Sequence, residues 1–511
     1  MTEPNPEGSQ TPESHKHPPE ASRVSLARSV LSRKVIPILL AEAGLVFGAW
    51  IRVPFFRSFP DSIPTPDTWS YLTGAFGLLQ KGHFDLYPQR TPVFPLIVWI
   101  TLALFKSFAA LNVVQGLLTL LSAAAVGFVL RAFGGPWRWP AALAVIFVAL
   151  HPHVLFWEHF VMTDGSFQAF FVFSLGAAAW AILRPTPRRA AIAGILAAIT
   201  VLIRPQAMFL TALMVLALAW TGRRLARRKL LLIVIAAIAG PLLLLGGWSA
   251  RNAAVHGFFG LSDLGPITYF SIAAPWVELE SPTLAADKAL IAESIRRYRS
   301  MPEDPNWVAY NPEGPTVILA QKYASDINRR DEVLNELARE AILHHPMVFL
   351  RRGLHSTYLL VTSRVTHASY DFAAALNWEN EWKEIAKSSP VDQYRAALNQ
   401  TRFPMSERDD IYTSEVRPIL RWEMPFIQSS LYMVGLAILA LPFLRGPRRI
   451  ATATVVISII FIILATGFLA QPAERYLTAI HGSAALAGAL AFTGLVERWQ
   501  ERFGRPRTRM I

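Results

Sequence analysis

Asp67 opens a stretch in which residue types and spacing could do chemistry. The run Asp67-Thr-Trp69-Ser-Tyr71 is followed by Arg90-Thr91-Pro92 and Phe94-Pro95-Leu96, beside an apolar segment. A carboxylate within hydrogen-bond reach of a hydroxyl can take its proton as the hydroxyl attacks an electrophilic carbon. An arginine offers a phosphate both charge and a fork of N–H donors. Each residue also has a plainer use. Asp67 would serve as the N-cap of a helix starting at Thr68, and Arg90 would snorkel to lipid headgroups. Asp61 is the alternative acid.

Further polar groups sit at the ends of other apolar runs. His151-Pro152-His153, Glu158-His159 and Asp164 crowd into one junction. Asp164 and Glu158 compete there as a second acid. Histidines with carboxylates also make a divalent cation a candidate cofactor, although the spacing fits no standard ligand motif. Arg204-Pro205 interrupts an apolar stretch, where an arginine near a bilayer centre costs about 2.5–3.5 kcal/mol on insertion scales. Trp248-Ser-Ala-Arg251-Asn252 and Glu474-Arg475-Tyr476 close two more. Each of these has a structural reading as well, as a helix-end cation or a local ion network. Trp69, Tyr71 and Trp157 could stack on a sugar face or belong to an interfacial aromatic belt.

Several chemistries are excluded by what the chain lacks. It has no Walker A loop, Rossmann glycine fingerprint, H-E-x-x-H or D-x-D pair, and no cysteine. The 511 residues are 53% hydrophobic and 17% charged, with mean hydropathy +0.33. Apolar runs approach the roughly 18–20 residues that span a bilayer. The net charge of +13 gathers in short loops such as Arg223/Arg224/Arg227/Arg228/Lys229. That is the positive-inside pattern, so the charge points to a bilayer and not to nucleic acid.

The elements that must position these groups follow from hydropathy. Spans are expected near 34–52, 111–131, 138–157, 162–183, 189–204, 206–221, 229–250, 426–444, 450–470 and 476–496, an all-α polytopic protein with about 10–12 crossings. Residues 1–33 read as a disordered cytoplasmic tail. Residues 34–52 read as an uncleaved helix, despite a small-x-small mimic of a cleavage site at Ala41-Glu42-Ala43. The core 34–250 carries an external loop at 53–110. Segment 251–425 is extracytoplasmic, with an amphipathic helix near 328–344 stopped by Pro346. Spans fill 426–497, and 498–511 is a basic cytoplasmic tail. Residues 93–106 are apolar but short, and are expected to be re-entrant or to lie along the outer surface.

The loop around Asp67, the VMTDGSF run with Asp164, the Trp248-x-x-Arg251-Asn252 exit and Glu474-Arg475-Tyr476 together resemble GT-C glycosyltransferases. Bacterial aminoarabinose transferases and protein mannosyltransferase-like enzymes are of this kind. The resemblance implies an external site in the cytoplasmic (inner) membrane. It implies transfer of a hexose or pentose from a polyprenyl-phosphate carrier to an extracytoplasmic glycan, lipid or protein, with inversion. Asp67 is then the expected base and Asp164 an orienting acid. Tyr71, Arg90, Glu158, Arg204, Arg251, Asn252, Arg475 and Tyr476 become expected substrate contacts. The rivals are a transporter or flippase of lipid-linked saccharides and a non-catalytic assembly partner.

Overall fold

A computed structural model of the chain describes residues 20–65, 67–301, 304–362, 412–469 and 474–503, with side chains at 20–34, 412–413 and 474 left aside. The helices are α1 (Glu20–Trp50), α2 (Arg52–Ser58), α3 (Thr68–Lys81), α4 (Val93–Phe105), α5 (Ala109–Phe133), α6 (Arg138–Ala149), α7 (Pro152–Trp157), α8 (Thr163–Leu183), α9 (Pro187–Val201), α10 (Phe209–Gly222), α11 (Arg227–His256), α12 (Leu264–Ala273), α13 (Ala285–Arg299), α14 (Pro305–Tyr310), α15 (Pro315–Lys322), α16 (Ile327–His344), α17 (Pro346–Thr362), α18 (Glu423–Ala440), α19 (Gly446–Leu469) and α20 (Thr478–Phe503). The expected tail is helical from Glu20 onward. Residues 1–19, the part 363–411 of the expected extracytoplasmic segment 251–425, 470–473 and 504–511 lie outside the described residues.

Eight helical segments among the described residues are long and apolar enough to cross a membrane. The protein is a multi-pass membrane protein. Two expected spans fall short. The run 138–157 breaks into α6 and α7, because a residue preceding proline is disfavoured in helical geometry and Pro152 follows His151. The run 189–204 stops as α9 at Val201, just before Arg204-Pro205. The 13 residues of α4 make a helix only about 20 Å long, short of the hydrocarbon thickness.

Small residues let the bundle close. Helix α20 is rich in Ala and Gly and is buried along most of its length. A Cβ at Gly194 of α9 would lie 2.2 Å from the Ala237 carbonyl of α11, so those backbones touch. Close backbone approach through small residues is how helices associate where lipid removes the hydrophobic drive. Val129, Phe171, Ile182, Ile459 and Leu486 belong to the bundle core. A second cluster, with Phe55, Leu72, Phe94, Leu111 and Trp157, lies under the loop that contains Asp67.

Helices α12 to α16 fall within the expected segment 251–425. They enclose their own core of Phe270, Ile295, Tyr298, Leu319, Leu334 and Leu337. Short proline-started helices build it piecewise, so no single long periodic run announces it. Helix α16 fits its expected place: Asp326 caps it at the Arg329 N–H, and Val333, Leu334, Leu337, Ala338 and Ala341 form its buried face.

Candidate functional site

Asp67 occupies the N-cap position of α3, but its backbone is already helical and its side chain caps nothing. The Thr65 N–H goes to Thr68 Oγ1 at 2.7 Å instead. The Asp67 carboxylate turns to Arg90, whose Nη2 donates to Oδ1 at 2.7 Å. All three nitrogens of that guanidinium are used. Nε donates to Ser70 Oγ at 2.7 Å and Nη1 to the Tyr71 hydroxyl at 3.1 Å. The cation lies 4.4 Å from the Tyr71 ring centroid, and Tyr71 is buried edge-on against Phe94. Spacing matters here: Asp67, Ser70 and Tyr71 share one face of α3 at i, i+3, i+4. Gly82, in the left-handed region at φ 69°, ends α3 and lets the chain return towards Arg90.

Two more arginines arrive from distant helix ends. Arg475 Nη1 lies 3.9 Å from Asp67 Oδ2 and donates to Met162 Sδ at 3.5 Å. Its Nη2 donates to the Tyr476 hydroxyl at 3.3 Å. Arg204 donates from Nε to Thr163 Oγ1 at 2.6 Å, and its Nη2 lies 2.6 Å from Asp164 Oδ2. The Arg204–Asp164 contact is charge against charge, because neither carboxylate oxygen receives a well-aligned hydrogen bond. The Tyr476 ring is a shared wall, 5.7 Å from the Arg204 guanidinium and 5.1 Å from that of Arg475.

Three guanidiniums against two carboxylates, Asp67 and Asp164, leave one positive charge over. The cluster therefore favours a bound anion. The two acids differ in access. The Asp67 side chain is 39% exposed and the Asp164 side chain 0%, so of the two only Asp67 meets incoming molecules. Tyr310, at the end of α14, also feels this cluster. Its ring is largely exposed, and partial desolvation against the cluster raises its phenol above the ordinary value while Arg90 works the other way, with Asp67, Tyr476 and Tyr71 as further charge partners. For Arg90, burial opposes the charge, but Tyr71 and Asp67 outweigh it and hold the pKa above its ordinary value.

The residues that fix this arrangement were mostly invisible as site residues in the sequence. Glu158, expected at substrate, is not brought to the cluster. It is fully buried and takes two parallel bonds of 2.8 Å from Arg52 Nε and Nη2. Gln115 Nε2 donates to the Glu158 and Phe160 carbonyls at 2.8 and 2.9 Å. The segment so held pairs with the Asp67 loop: Ile63 N–H reaches the His159 carbonyl at 2.6 Å and Val161 N–H the Ile63 carbonyl at 2.9 Å. On the other side, Val93 N–H bonds the Leu202 carbonyl at 3.2 Å and Thr91 Oγ1 the Ile203 carbonyl at 3.1 Å. Arg90 and Arg204 are thereby set by neighbouring backbone.

Arg251 and Asn252 also stand apart from the cluster. Arg251 Nη2 donates to the Phe84 carbonyl at 2.9 Å, and Asn252 Nδ2 to the Gly260 carbonyl at 2.7 Å. With Ser262 Oγ on the Gln89 carbonyl at 3.0 Å, they anchor the loop that delivers Arg90. Among the described residues no group of three His, Cys, Asp or Glu side chains converges as a metal site. The candidate divalent cation has no ligand set there, because Glu158 is committed to Arg52 and Asp164 to Arg204.

No protein-family model matches the chain, and no curated protein matches it in sequence. Among solved structures the chain is similar, at low identity, to an archaeal oligosaccharyltransferase and to ArnT. The apo oligosaccharyltransferase of Archaeoglobus fulgidus is 14% identical at a TM-score of 0.46, over 91% of this chain and 52% of that one. The same organism's AglB, in complex with an inhibitory peptide and a dolichol-phosphate, is 13% identical at a TM-score of 0.45, over 93% and 52%. ArnT from Cupriavidus metallidurans bound to undecaprenyl phosphate is 14% identical at a TM-score of 0.32, over 89% and 78%. The chain spans about half the length of the oligosaccharyltransferase it matches.

Proposed function

We propose that the chain is a membrane glycosyltransferase that moves a sugar from a polyprenyl-phosphate carrier to an acceptor hydroxyl on the extracytoplasmic side of the cytoplasmic membrane. The observation that carries this reading is the Arg90–Asp67–Arg475 bridge, an accessible carboxylate set between two cations in a cluster with charge to spare. A polyprenyl-phosphate sugar is a phosphodiester with one negative charge, matching the excess.

The chemistry balances without a further acid. The acceptor oxygen bonds to the anomeric carbon as the bond from that carbon to the phosphate oxygen breaks. The electron pair leaves with polyprenyl phosphate, and the acceptor proton goes to Asp67. Attack from the face opposite the leaving group inverts the anomeric centre. The leaving phosphate approaches two negative charges, so Arg90, Arg204 and Arg475 bind the late transition state more strongly than the donor. In the ligand-free chain Arg90 and Arg475 neutralise Asp67. Asp164, locked against Arg204, orients, and Tyr71 and Tyr476 shape the walls.

The test is sugar transfer from a panel of polyprenyl-phosphate donors by wild type and Asp67→Asn, with undecaprenyl phosphate binding measured alongside. Transfer should fall by about 10²–10⁴-fold in the variant with binding retained, the range for loss of a general base. Equal transfer by both would remove Asp67 from the chemistry. Binding without transfer by wild type across the panel would favour a carrier of lipid-linked saccharides.

A further inference from the structure

Arg90 closes a tight turn. Its N–H donates to the Tyr87 carbonyl at 3.0 Å, with Pro88 and Gln89 at the central positions, the first of which favours proline. None of residues 87–90 is buried, so packing does not fix the turn. Hydrogen bonds do. The Asp263 N–H donates to the Pro88 carbonyl at 3.2 Å, and the Ser262 hydroxyl donates to the Gln89 carbonyl at 3.0 Å. Both central carbonyls are thus taken by the residues that lead into α12, the first helix of the α12–α16 unit.

Asp263 is at the N-cap position of α12, yet its carboxylate caps nothing. An aspartate there ordinarily accepts from a backbone N–H of the first turn. Ser262 Oγ serves that turn by accepting the Leu264 N–H at 3.0 Å. The Asp263 carboxylate is turned to α16, where Arg330 Nη2 donates to Oδ2 at 2.9 Å. Their side chains are only 1% and 11% exposed. Arg330 already has a counter-charge in Asp331, on whose Oδ1 its Nε and Nη2 converge at 2.8 and 2.6 Å. Neutralising the arginine therefore does not require Asp263. What the longer reach adds is a hold on the residue that holds the turn. Asn328 makes a parallel tie from α16, its Nδ2 donating to the Gly257 carbonyl at 2.7 Å, at the end of α11.

We propose that Arg330 is a positioning residue for Arg90: through Asp263 it fixes the Tyr87–Arg90 turn and so sets where the guanidinium meets Asp67. Each step is a single contact, from α16 to the start of α12, from there to the turn, and from the turn to the arginine. The α12–α16 unit supplies none of the three arginines of the cluster, but it governs the placement of one. The consequence for a lipid phosphate rests on the enzymatic reading above, whereas the placement of Arg90 does not.

Hydrogen exchange of the full-length protein in lipid nanodiscs reads that placement without a ligand. In Arg330→Met the amides of 84–91, that of Arg90 above all, should exchange about 10-fold faster, the factor for one charge-assisted hydrogen bond, while α5 and α20 hold. Asp263→Asn should act in the same direction and more mildly, because Arg330 keeps Asp331 and no charge is stranded. Exchange at 84–91 equal to wild type in both variants overturns the proposal. Asp263→Asn decides where Arg330→Met also loses protection across α13 and α15. Undecaprenyl phosphate binding separates positioning from general loosening. Arg330→Met should weaken it by up to about 10-fold in the wild-type background and cause no further loss in Arg90→Gln, because effects through one shared residue do not add. An equal loss in both backgrounds overturns the proposal. A wild type that binds no undecaprenyl phosphate counts against the enzymatic reading, and the exchange at 84–91 still decides the placement.

Discussion

Arg90 is the residue on which most of the site's geometry turns. Its guanidinium meets Asp67, Ser70 and the Tyr71 hydroxyl and lies over the Tyr71 ring. A lysine keeps the charge but has no planar fork to make those contacts together. We expect Arg90→Lys to weaken undecaprenyl phosphate binding about 10-fold, the equivalent of one charge-assisted hydrogen bond, and Arg90→Gln to weaken it further. Titration with the lipid phosphate in nanodiscs checks this, and undiminished binding by Arg90→Gln would place the anion elsewhere. Residue types, read with the family resemblance they carry, pointed to Asp67, Tyr71, Arg90, Asp164, Arg204, Arg475 and Tyr476, and the fold brings these together. Their common trait is legible: charge or hydroxyl at the end of an apolar run. Glu158, Arg251 and Asn252 share that trait and are used otherwise. What separates the two groups is the partner, and Arg52 is 106 residues from Glu158.

At the scale of elements, one short extended segment, 159–161, carries the site. It is held from below by Arg52–Glu158 and Gln115 and holds the Asp67 loop in turn. Removing one partner of a buried ion pair strands a charge and costs about 3–5 kcal/mol, whereas replacing both with apolar groups is often neutral. Arg52→Met alone should therefore lower the thermal unfolding midpoint in detergent sharply. Arg52→Met with Glu158→Leu should recover most of that loss, and a double variant as unstable as the single one would refute the pair's isolation. Gln115→Leu leaves the Glu158 and Phe160 carbonyls without their donor. It should cost about 1–3 kcal/mol and reduce any transfer activity more than lipid binding. None of this was legible beforehand. Arg52 reads as the interfacial end of a span, and Gln115 as one of several polar residues in a largely apolar helix, because hydropathy reports the average of a segment and not the partner of a side chain.

For the molecule as a whole, the proposed donor side requires the cluster to lie on the extracytoplasmic face. The chain has no cysteine, so single introduced thiols report sidedness cleanly. Ser300, beyond α13, and Arg224, between α10 and α11, are both exposed. With an extracytoplasmic α12–α16 unit, a membrane-impermeant maleimide should label Ser300→Cys in intact cells and Arg224→Cys only after lysis. The reverse pattern would invert the orientation and, with it, the proposed donor side. The sequence by itself determined that this is a multi-pass helical membrane protein, because apolar runs of bilayer length have no other stable use. It located the break at Arg204-Pro205 but not the one at Pro152, which it placed inside a span, and proline alone does not decide, since Pro37 and Pro241 sit within α1 and α11. Only the tertiary structure decided that Asp67 caps nothing and lies between Arg90 and Arg475, that Glu158 is buried against Arg52, and that α12–α16 close around their own core. Those are contacts across tens to hundreds of residues, set by packing and charge pairing in three dimensions, and no local pattern encodes a partner that far along the chain.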